Sequence, residues 1–320
     1  MAPARPADDA QWAQVIADAY GLPWTTLRSP GMVARAVRAP GPFGGRQWVT
    51  APFLTDGGVT LNEGADLGAA RAACARWIEE TGDDAVVLRL RGARTWPTGD
   101  TSTFIEEGLA ALVLSLAGGA EHVWRRLRGK TRNQVRKARR SGLSVAIGGE
   151  ALCPQAHDVL TRAWRDLGTP SHALSFHRAI FAAFGERARA VVVSRGGAPV
   201  AAAIVIVCGG TVHHPYAAAL RSAAPVCANH LLYASIIEWA CAQGLDRFDM
   251  GRSRVGQGTW RFKLGWGAEP EWLQYVHVLR PGVGARLGLG RGVALASQVW
   301  RRLPLALTRT LGPQLIRCVP

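Results

Sequence analysis

The sequence predicts an α+β fold, a mixed and mostly antiparallel sheet flanked by helices. Three observations carry that expectation. Apolar strand-like runs at 190–194, 200–207 and 211–217 follow one another, with Gly196-Gly197 and Gly209-Gly210 between them as hairpin turns. Helical patterns span 153–167, 174–184 and 229–243, the last closed by Gly244. Short strands at 247–249 and 273–279 come after the last of these helices, so an antiparallel meander shares one layer with helices packed on it.

The first half reads less regularly. Residues 11–19 form a short helix, and 21–45, rich in Pro and Gly, read as loop. Residues 46–50 form a strand that leads into Ala51-Pro-Phe-Leu-Thr-Asp-Gly-Gly58, a turn whose glycine pair suits positive φ. Residues 67–80 form an amphipathic helix, and 85–90 an apolar strand alternating into Arg89 and Arg91. Strand and turn signals mix over 101–116, helix follows at 122–142, and a strand at 143–147. The expected division is 1–120, 121–280 and a basic amphipathic tail at 281–320.

Composition narrows the function classes. The 320 residues carry a net charge of +15 and a pI near 10.8, which points to anionic partners such as nucleic acid, phospholipid or phosphorylated substrates. Basic drift of an Arg- and Ala-rich chain is the alternative. Apolar residues make up 48%, enough for a large core, yet no run of about 18 apolar residues suggests a membrane span. Residues 1–10 lack the apolar region of a signal peptide, so a cytoplasmic protein is expected. The six cysteines form no Cys-x-x-Cys pair and no His/Cys spacing of a metal site, so buried thiols and no metal are expected.

The 122–142 helix is crowded with cations. From Lys130 onward, Arg132, Arg136, Arg139 and Arg140 fall on one face by i, i+4, i+7, i+8 spacing. Like charges so placed repel, so an anion such as RNA, polyphosphate or a lipid headgroup is expected to answer them. A merely solvated face is the alternative.

Residues 248–270 hold the most chemistry. The reading is a strand ending at Asp249, a sharp turn at Gly251, Arg252 and Ser253 at the strand's carboxyl end, a loop opened by Gly256 and Gly258, and a short helix at 259–264 presenting Lys263. Lys263 there can reach an acyl carbonyl or a phosphate as a fixed cation.

Five stretches together resemble the Fem-type peptidyl- and aminoacyltransferase-like branch of the GNAT acyltransferase superfamily. They are Ala51–Gly58; Lys130-Thr-Arg-Asn-Gln-Val-Arg-Lys-Ala-Arg-Arg-Ser-Gly142; Leu167-Gly-Thr-Pro-Ser-His172 with Phe176; Asn229-His-Leu-Leu-Tyr233 through Glu238-Trp-Ala240; and Phe248-Asp-Met-Gly-Arg-Ser253 running to Phe262-Lys-Leu-Gly-Trp-Gly267. The likeness spans roughly residues 46–280 and is nearest the subgroup associated with exosortase (PEP-CTERM) and exopolysaccharide loci. It implies two GNAT-like halves, the N-terminal one shortened because the region before Arg46 leaves little room for strands. It implies transfer of an acyl group, from aminoacyl-tRNA or acyl-CoA, to an amine of a small-molecule, cell-envelope or polysaccharide precursor. The Phe262-Lys263 pair then marks the donor site. Two departures bear on the donor: the long helical arm of some Fem enzymes is missing, and Ser253 stands where the Arg or Gln of a GNAT pyrophosphate loop would precede Gly256 and Gly258.

Acyl transfer to an amine needs alignment, removal of the amine proton and stabilisation of the tetrahedral oxygen. The candidates are Lys263 assisted by Arg252 for charge, and Asp249 or His172 for the proton. Tyr216, Tyr233, Asn229, Ser253, Phe262 and Phe176 are candidates for binding substrate. Each has a plain alternative: Asp249 as a turn cap, His172 as a cap of the helix after it, Asn229 as the cap of its own helix. A rival reading of the whole chain is a catalytically inactive GNAT-fold protein that binds RNA or an anionic membrane. Arg286, Arg291, Arg301, Arg302, Arg309 and Arg317 interleave with Leu, Val and Trp300 in the tail, a pattern that lies on anionic lipid at the inner face of a membrane or packs on the domain.

Overall fold

The computed structural model describes residues 5–41, 45–92, 94–98, 102–283 and 290–318. The chain begins with α1 (Ala10–Tyr20), β1 (Trp24–Ser29), β2 (Met32–Pro40), β3 (Arg46–Thr50), β4 (Val59–Leu61), α2 (Leu67–Thr81) and β5 (Ala85–Arg91). Then come β6 (Thr103–Glu106), β7 (Leu109–Ser115), α3 (Gly119–Arg126), α4 (Gly129–Arg139), β8 (Leu143–Gly148), α5 (Cys153–Leu167) and α6 (Leu174–Phe184). The second half continues with β9 (Ala188–Arg195), β10 (Ala198–Cys208), β11 (Thr211–Ala219), α7 (Ala228–Ala242), β12 (Arg247–Arg254), α8 (Gly258–Gly265) and β13 (Glu269–Leu279). Two tail helices, α9 (Gly290–Arg302) and α10 (Leu305–Ile316), follow.

The thirteen strands of the described residues join one sheet, in the order β1-β2-β3-β5-β13-β7-β12-β11-β10-β9-β8, with β4 beside β2 and β6 beside β13. The mixed, mostly antiparallel α+β architecture is as the sequence predicts. Two pairs are parallel, β3 with β5 and β11 with β12, and they occupy corresponding places in the two halves. Strand β13 stitches the halves together: its first residues pair with β7 and its later ones with β5.

Two local expectations are corrected. Residues 21–45 are not loop, for β1 and β2 form a hairpin there, so strands do precede Arg46. The prolines that suggested loop sit where no ladder N–H is required: Pro30 in the turn with Gly31 at φ 73°, Pro40 as the last residue of β2. The second correction concerns β12, which does not end at Asp249. It runs on to Arg254 across a register shift between Asp249 and Arg252 opposite β7, with Gly251 at φ 71°. That is a β-bulge, which redirects side chains without ending the strand. The basic helix is also broken, into α3 and α4, by extended backbone at Leu127 and Arg128.

Alternation along the strands divides the core by face. On the second half, Ala203, Val205 and Phe248 face α3, α4 and α7, whereas Ala202, Ile204 and Tyr216 face α1, α5 and α6. On the first half, Val86, Leu88 and Leu90 pack under α2. Val87, Arg89 and Arg91 point the other way, into the middle of the molecule.

Candidate active site

Strands β11 and β12 pair in parallel at only three positions, Thr211 with Arg247, Val212 with Phe248 and His213 with Asp249. Beyond them the strands part, because the bulge turns β12 towards β7 while β11 stays on β10. The gap opens a cleft of about 570 Å³ lined by Ala217, Ala219, Asn229, His230, Tyr233, Thr259, Phe262 and Lys263, among others. Unpaired parallel strands leave a natural ligand crevice.

Helix α8 carries Lys263 to the bottom of this gap. The residue is 5% exposed, and its Nζ donates to the carbonyls of Gly251 and Arg252 at 2.9 Å each. Both carbonyls belong to residues at the register shift of β12 against β7, so Lys263 ties off the bulge. The ammonium keeps a third donor. Burial pulls its pKa down to about 8, against the pull of Asp249 and with the help of Arg252. Tyr233 stands beside it, ring against Phe262 at 4.9 Å, hydroxyl 3.0 Å from His214 Nε2. Burial raises Tyr233 well above the ordinary phenol value and lowers His214 to about 3, so the pair is neutral across the ordinary pH range.

Beneath the bulge lies a knot of charge. Asp249 is buried, its Oδ1 accepting from Gly251 N at 2.8 Å and its Oδ2 from Arg91 Nη2 at 2.6 Å. His213 lies 3.5 Å away. Burial alone would raise this carboxyl; His213 and the Arg91 guanidinium instead hold it well below the usual carboxylate range. Arg91 also grips Asp56 at 2.6 Å and Glu271 at 2.9 Å, and Arg5 closes on Asp56 at 2.8 Å.

On the other side of the bulge a second cavity, about 530 Å³, is lined by Arg89, Arg252, Ser253, Gln257, Thr259 and Tyr275, among others. Thr259, at the start of α8, lines both spaces.

The residues singled out from sequence therefore separate into groups. Lys263, Tyr233, Phe262 and Asn229 meet in the first cleft. Arg252 and Ser253 belong to the second cavity, and Arg252 reaches Lys263 only through its backbone carbonyl. Asn229 does not cap α7; Cys227 holds the cap position at φ 56°, and Asn229 is free to face the cleft. Asp249 is committed to the bulge and Arg91 and is a poor proton acceptor.

His172, Phe176 and Tyr216 lie on the opposite face of the sheet, in a closed aromatic cluster with Tyr20, Phe53 and Trp164. His172 Nδ1 meets the Tyr20 hydroxyl at 2.6 Å, and burial with the charge of His157 lowers its pKa to about 3. Neither His172 as a base nor Phe176 and Tyr216 as substrate contacts fits that position. Nor does His172 cap α6, whose cap is Ala173. Thr259 on α8, Arg91 on β5, His214 on β11 and Tyr275 on β13 share no local motif that would mark them in the sequence.

The basic helix runs beside the first cleft, to which α4 contributes Gln134, while Lys130 depresses His230 after the larger effect of burial. Part of its charge is answered within the protein. The Arg136 and Arg139 guanidinia lie 5.7 and 5.6 Å from the Trp124 ring centre, and Arg139 pairs with Glu238. Arg132 donates to the Arg125 carbonyl at 2.9 Å, and Arg140 follows the last turn of α4.

Comparison with known proteins places this architecture. A family model described as an acetyltransferase (GNAT) domain matches residues 125–264, the stretch that holds both parallel strands of the open cleft. The whole chain has the α+β fold of tandem GNAT structures. It is similar to the crystal structure of FemX, with a TM-score of 0.66 at 11% identity over 88% of this chain and 94% of that one. L-PGS from Bacillus licheniformis gives 0.53 at 14% identity, covering 92% and 98%. A tandem GNAT protein from the clavulanic acid biosynthesis pathway gives 0.50 at 13%, covering 87% and 96%. Identities this low establish the fold and leave the chemistry to the site. No curated protein matches the chain in sequence. Among the described residues no helix is long and apolar enough to cross a membrane.

Proposed function

We propose that the chain is an acyltransferase that moves an acyl group from an anionic donor, aminoacyl-tRNA or acyl-CoA, to an amine of a small-molecule, cell-envelope or polysaccharide precursor. One observation carries the reading: the cleft between parting β11 and β12 and the second cavity share Thr259 in their linings, four residues before the buried Lys263 on α8. Donor and acceptor can then approach one point from two sides, which supplies alignment. The donor lies in the first cleft with its anionic part towards α4. The acceptor amine, having lost its proton to water, attacks the acyl carbonyl and forms the C–N bond. Charge gathers on the carbonyl oxygen, where the remaining Lys263 donor stabilises it. As the C–S or C–O bond to the donor breaks, the Tyr233 hydroxyl protonates the leaving atom, the adduct nitrogen gives its extra proton to cleft water, and Tyr233 regains a proton from that water. Tyr233 is placed for this because it stays protonated and borders the same cleft.

The test is transfer of label from acetyl-CoA or from charged tRNA to a panel of amines, with RNase and Lys263→Ala arms. Transfer that drops with Lys263→Ala is expected, and RNase sensitivity identifies the donor. No transfer from either donor, with RNA or lipid binding intact, would instead favour an inactive binding protein.

We further infer that the tail rests on an anionic membrane surface at its outer face. α9 and α10 dock on α5, with Trp300, Thr308 and Ile316 buried and Arg301 bonded to the Leu167 carbonyl. Leu307, Leu311 and Leu315 remain exposed on one side of α10, as do Leu295 and Val299 on α9. Arg302 and Arg317 flank them; Arg286 lies outside the described residues.

A further inference from the structure

We propose that the second cavity is a binding site for an oxyanion, the carboxylate or phosphate of an acidic acceptor, held by Arg252 and Ser253 at the start of α8. The role of acceptor rests on the acyl-transfer reading above; the binding of an oxyanion does not.

The argument begins with Ser253. It is 4% exposed, lines the cavity, and its Oγ has no hydrogen-bond partner among the described residues. A buried hydroxyl without a partner is costly, and a ligand acceptor atom would satisfy it. Arg252 supplies the charge. Its Nη1 donates to the Tyr275 hydroxyl at 3.1 Å, and no carboxylate pairs with it among the described residues. The acid on the cavity wall, Glu106, is already paired with Arg254.

Arg89 adds a second guanidinium. It lies 5.1 Å from the Tyr275 ring centre, while Arg252 lies 5.7 Å from the same ring. Two cations on one phenol ring repel each other: Arg89 falls to about 10, first through burial, then with Arg252 opposing the pull of Tyr275. An anion between them would relieve that repulsion. Gln257 and Thr259 bring the amino end of α8 to the same wall, where helix N–H groups favour negative charge. The donors thus arrive from β12, β5 and α8 and converge on one space, whereas the α4 arginines spread along a surface.

The test is calorimetric titration of the full chain with sodium phosphate and, separately, sodium acetate, at constant ionic strength set with chloride. Wild type is compared with Arg252→Gln, Arg252→Lys, Ser253→Ala and the distant surface control Arg162→Gln. At least one oxyanion is expected to bind at one site. Arg252→Gln should weaken it about tenfold or more and Ser253→Ala several-fold, consistent with loss of a charge-assisted hydrogen bond. Arg252→Lys should retain part of the affinity and Arg162→Gln all of it. The preferred anion tells phosphate from carboxylate. Should Arg252→Gln unfold, Ser253→Ala and Arg252→Lys still decide the matter. Absence of binding by both anions, or equal binding by wild type and the Arg252 and Ser253 variants, overturns the proposal. Acyl transfer is not part of this readout, so a failed transfer assay and a failed titration remain separate results.

Discussion

Among the described residues the same opening occurs twice, once filled by a chain segment and once left as a cleft. In the first half, β3 and β5 pair in parallel at three positions, Gln47 with Ala85, Trp48 with Val86 and Val49 with Val87, then part. In the second, β11 and β12 do the same. The first gap is filled by the chain itself. Residues 51–58 fold into it, with Arg89 donating to the Ala51 and Leu54 carbonyls and Gly57 N bonding the Arg89 carbonyl. Trp12 Nε1 holds the Pro52 carbonyl at 3.0 Å. Ala51 and Phe53 adopt positive φ, 47° and 64°, a conformation costly for residues with a Cβ that persists because the surroundings fix it. The second gap has no such plug, only one lysine tying off the bulge carbonyls. A strand divergence is thus a vacancy that a protein either fills or offers to a ligand, and this chain does one in each half.

Arg91 joins the two. It holds Asp56 of the plug and Asp249 of the bulge at once, so its loss would strike both openings. Arg91→Ala takes the guanidinium from two buried carboxylates, leaving Asp56 to Arg5 and Asp249 to His213 and Gly251 N, and is expected to cost roughly 3–5 kcal/mol in denaturant unfolding. Loss below about 1 kcal/mol would show the openings to be independent. Acid should act on the same knot. The folded Asp249 carboxyl sits below its ordinary value of 3.8, so the stability it confers is present above that pH and lost as pH falls below it. Asp249→Asn should flatten the acid limb of a stability-against-pH curve.

The empty opening is tested through its lysine. Lys263→Met keeps the apolar stem and removes the charge; if the cleft is the reaction site, kcat should fall by about 10²–10³. Because burial holds the ammonium near 8, the cation is present below that pH and lost above it. Transfer should therefore decline as pH rises through about 8, and Lys263→Arg should move that decline upward. A kcat unchanged in Lys263→Met would make the lysine a mere tie for the bulge.

This division also explains what the sequence revealed. The helices and the antiparallel meander were legible because their periodicity is local: Cys153–Leu167 and Leu174–Phe184 fall where the pattern places them. Lys263, Tyr233 and Phe262 were legible because they lie within four residues of a turn or along one helix face. In the sequence the bulge looks like a strand end, since Asp-x-Gly signals a turn equally well and only pairing with β7 shows that the strand resumes. His172, Phe176 and Tyr216 were misplaced for a different reason. A polar or aromatic residue in a motif says nothing about which face of a sheet it occupies, and these three sit behind it. The second cavity draws on β5, β12, β13 and α8, so its composition is set by topology alone.

A smaller effect is expected from the basic helix. Arg136 rests on Trp124 and bonds Asn133, and Arg140 extends past the helix end, so reversing both to Glu removes surface charge near the open cleft without touching the core. Donor binding measured at low salt should weaken about tenfold, and the difference should shrink as salt rises. Equal binding by the variant and wild type would confine donor recognition to the cleft itself.

The smallest expected change compares a glycine from each opening. Gly58 belongs to the plug at φ 70°, and a Cβ there would meet the Arg35 carbonyl at 3.1 Å. Gly251 belongs to the bulge at φ 71°, and a Cβ there would meet His214 Cε1 and Thr55 Oγ1 at 3.6 Å, ordinary contact. Both alanine variants carry the left-handed penalty of about 1–2 kcal/mol. Gly58→Ala adds a tight contact with the Arg35 backbone, which must shift slightly to admit it, so its melting temperature should fall further than that of Gly251→Ala. For transfer the order should reverse. Gly251→Ala shifts the carbonyls that seat Lys263 and should lower kcat at little cost in stability, whereas Gly58→Ala should spare kcat in whatever fraction stays folded. If the two variants lose stability and activity in the same proportion, plug and cleft are one cooperative unit and the distinction between a filled and an open divergence has no functional meaning here.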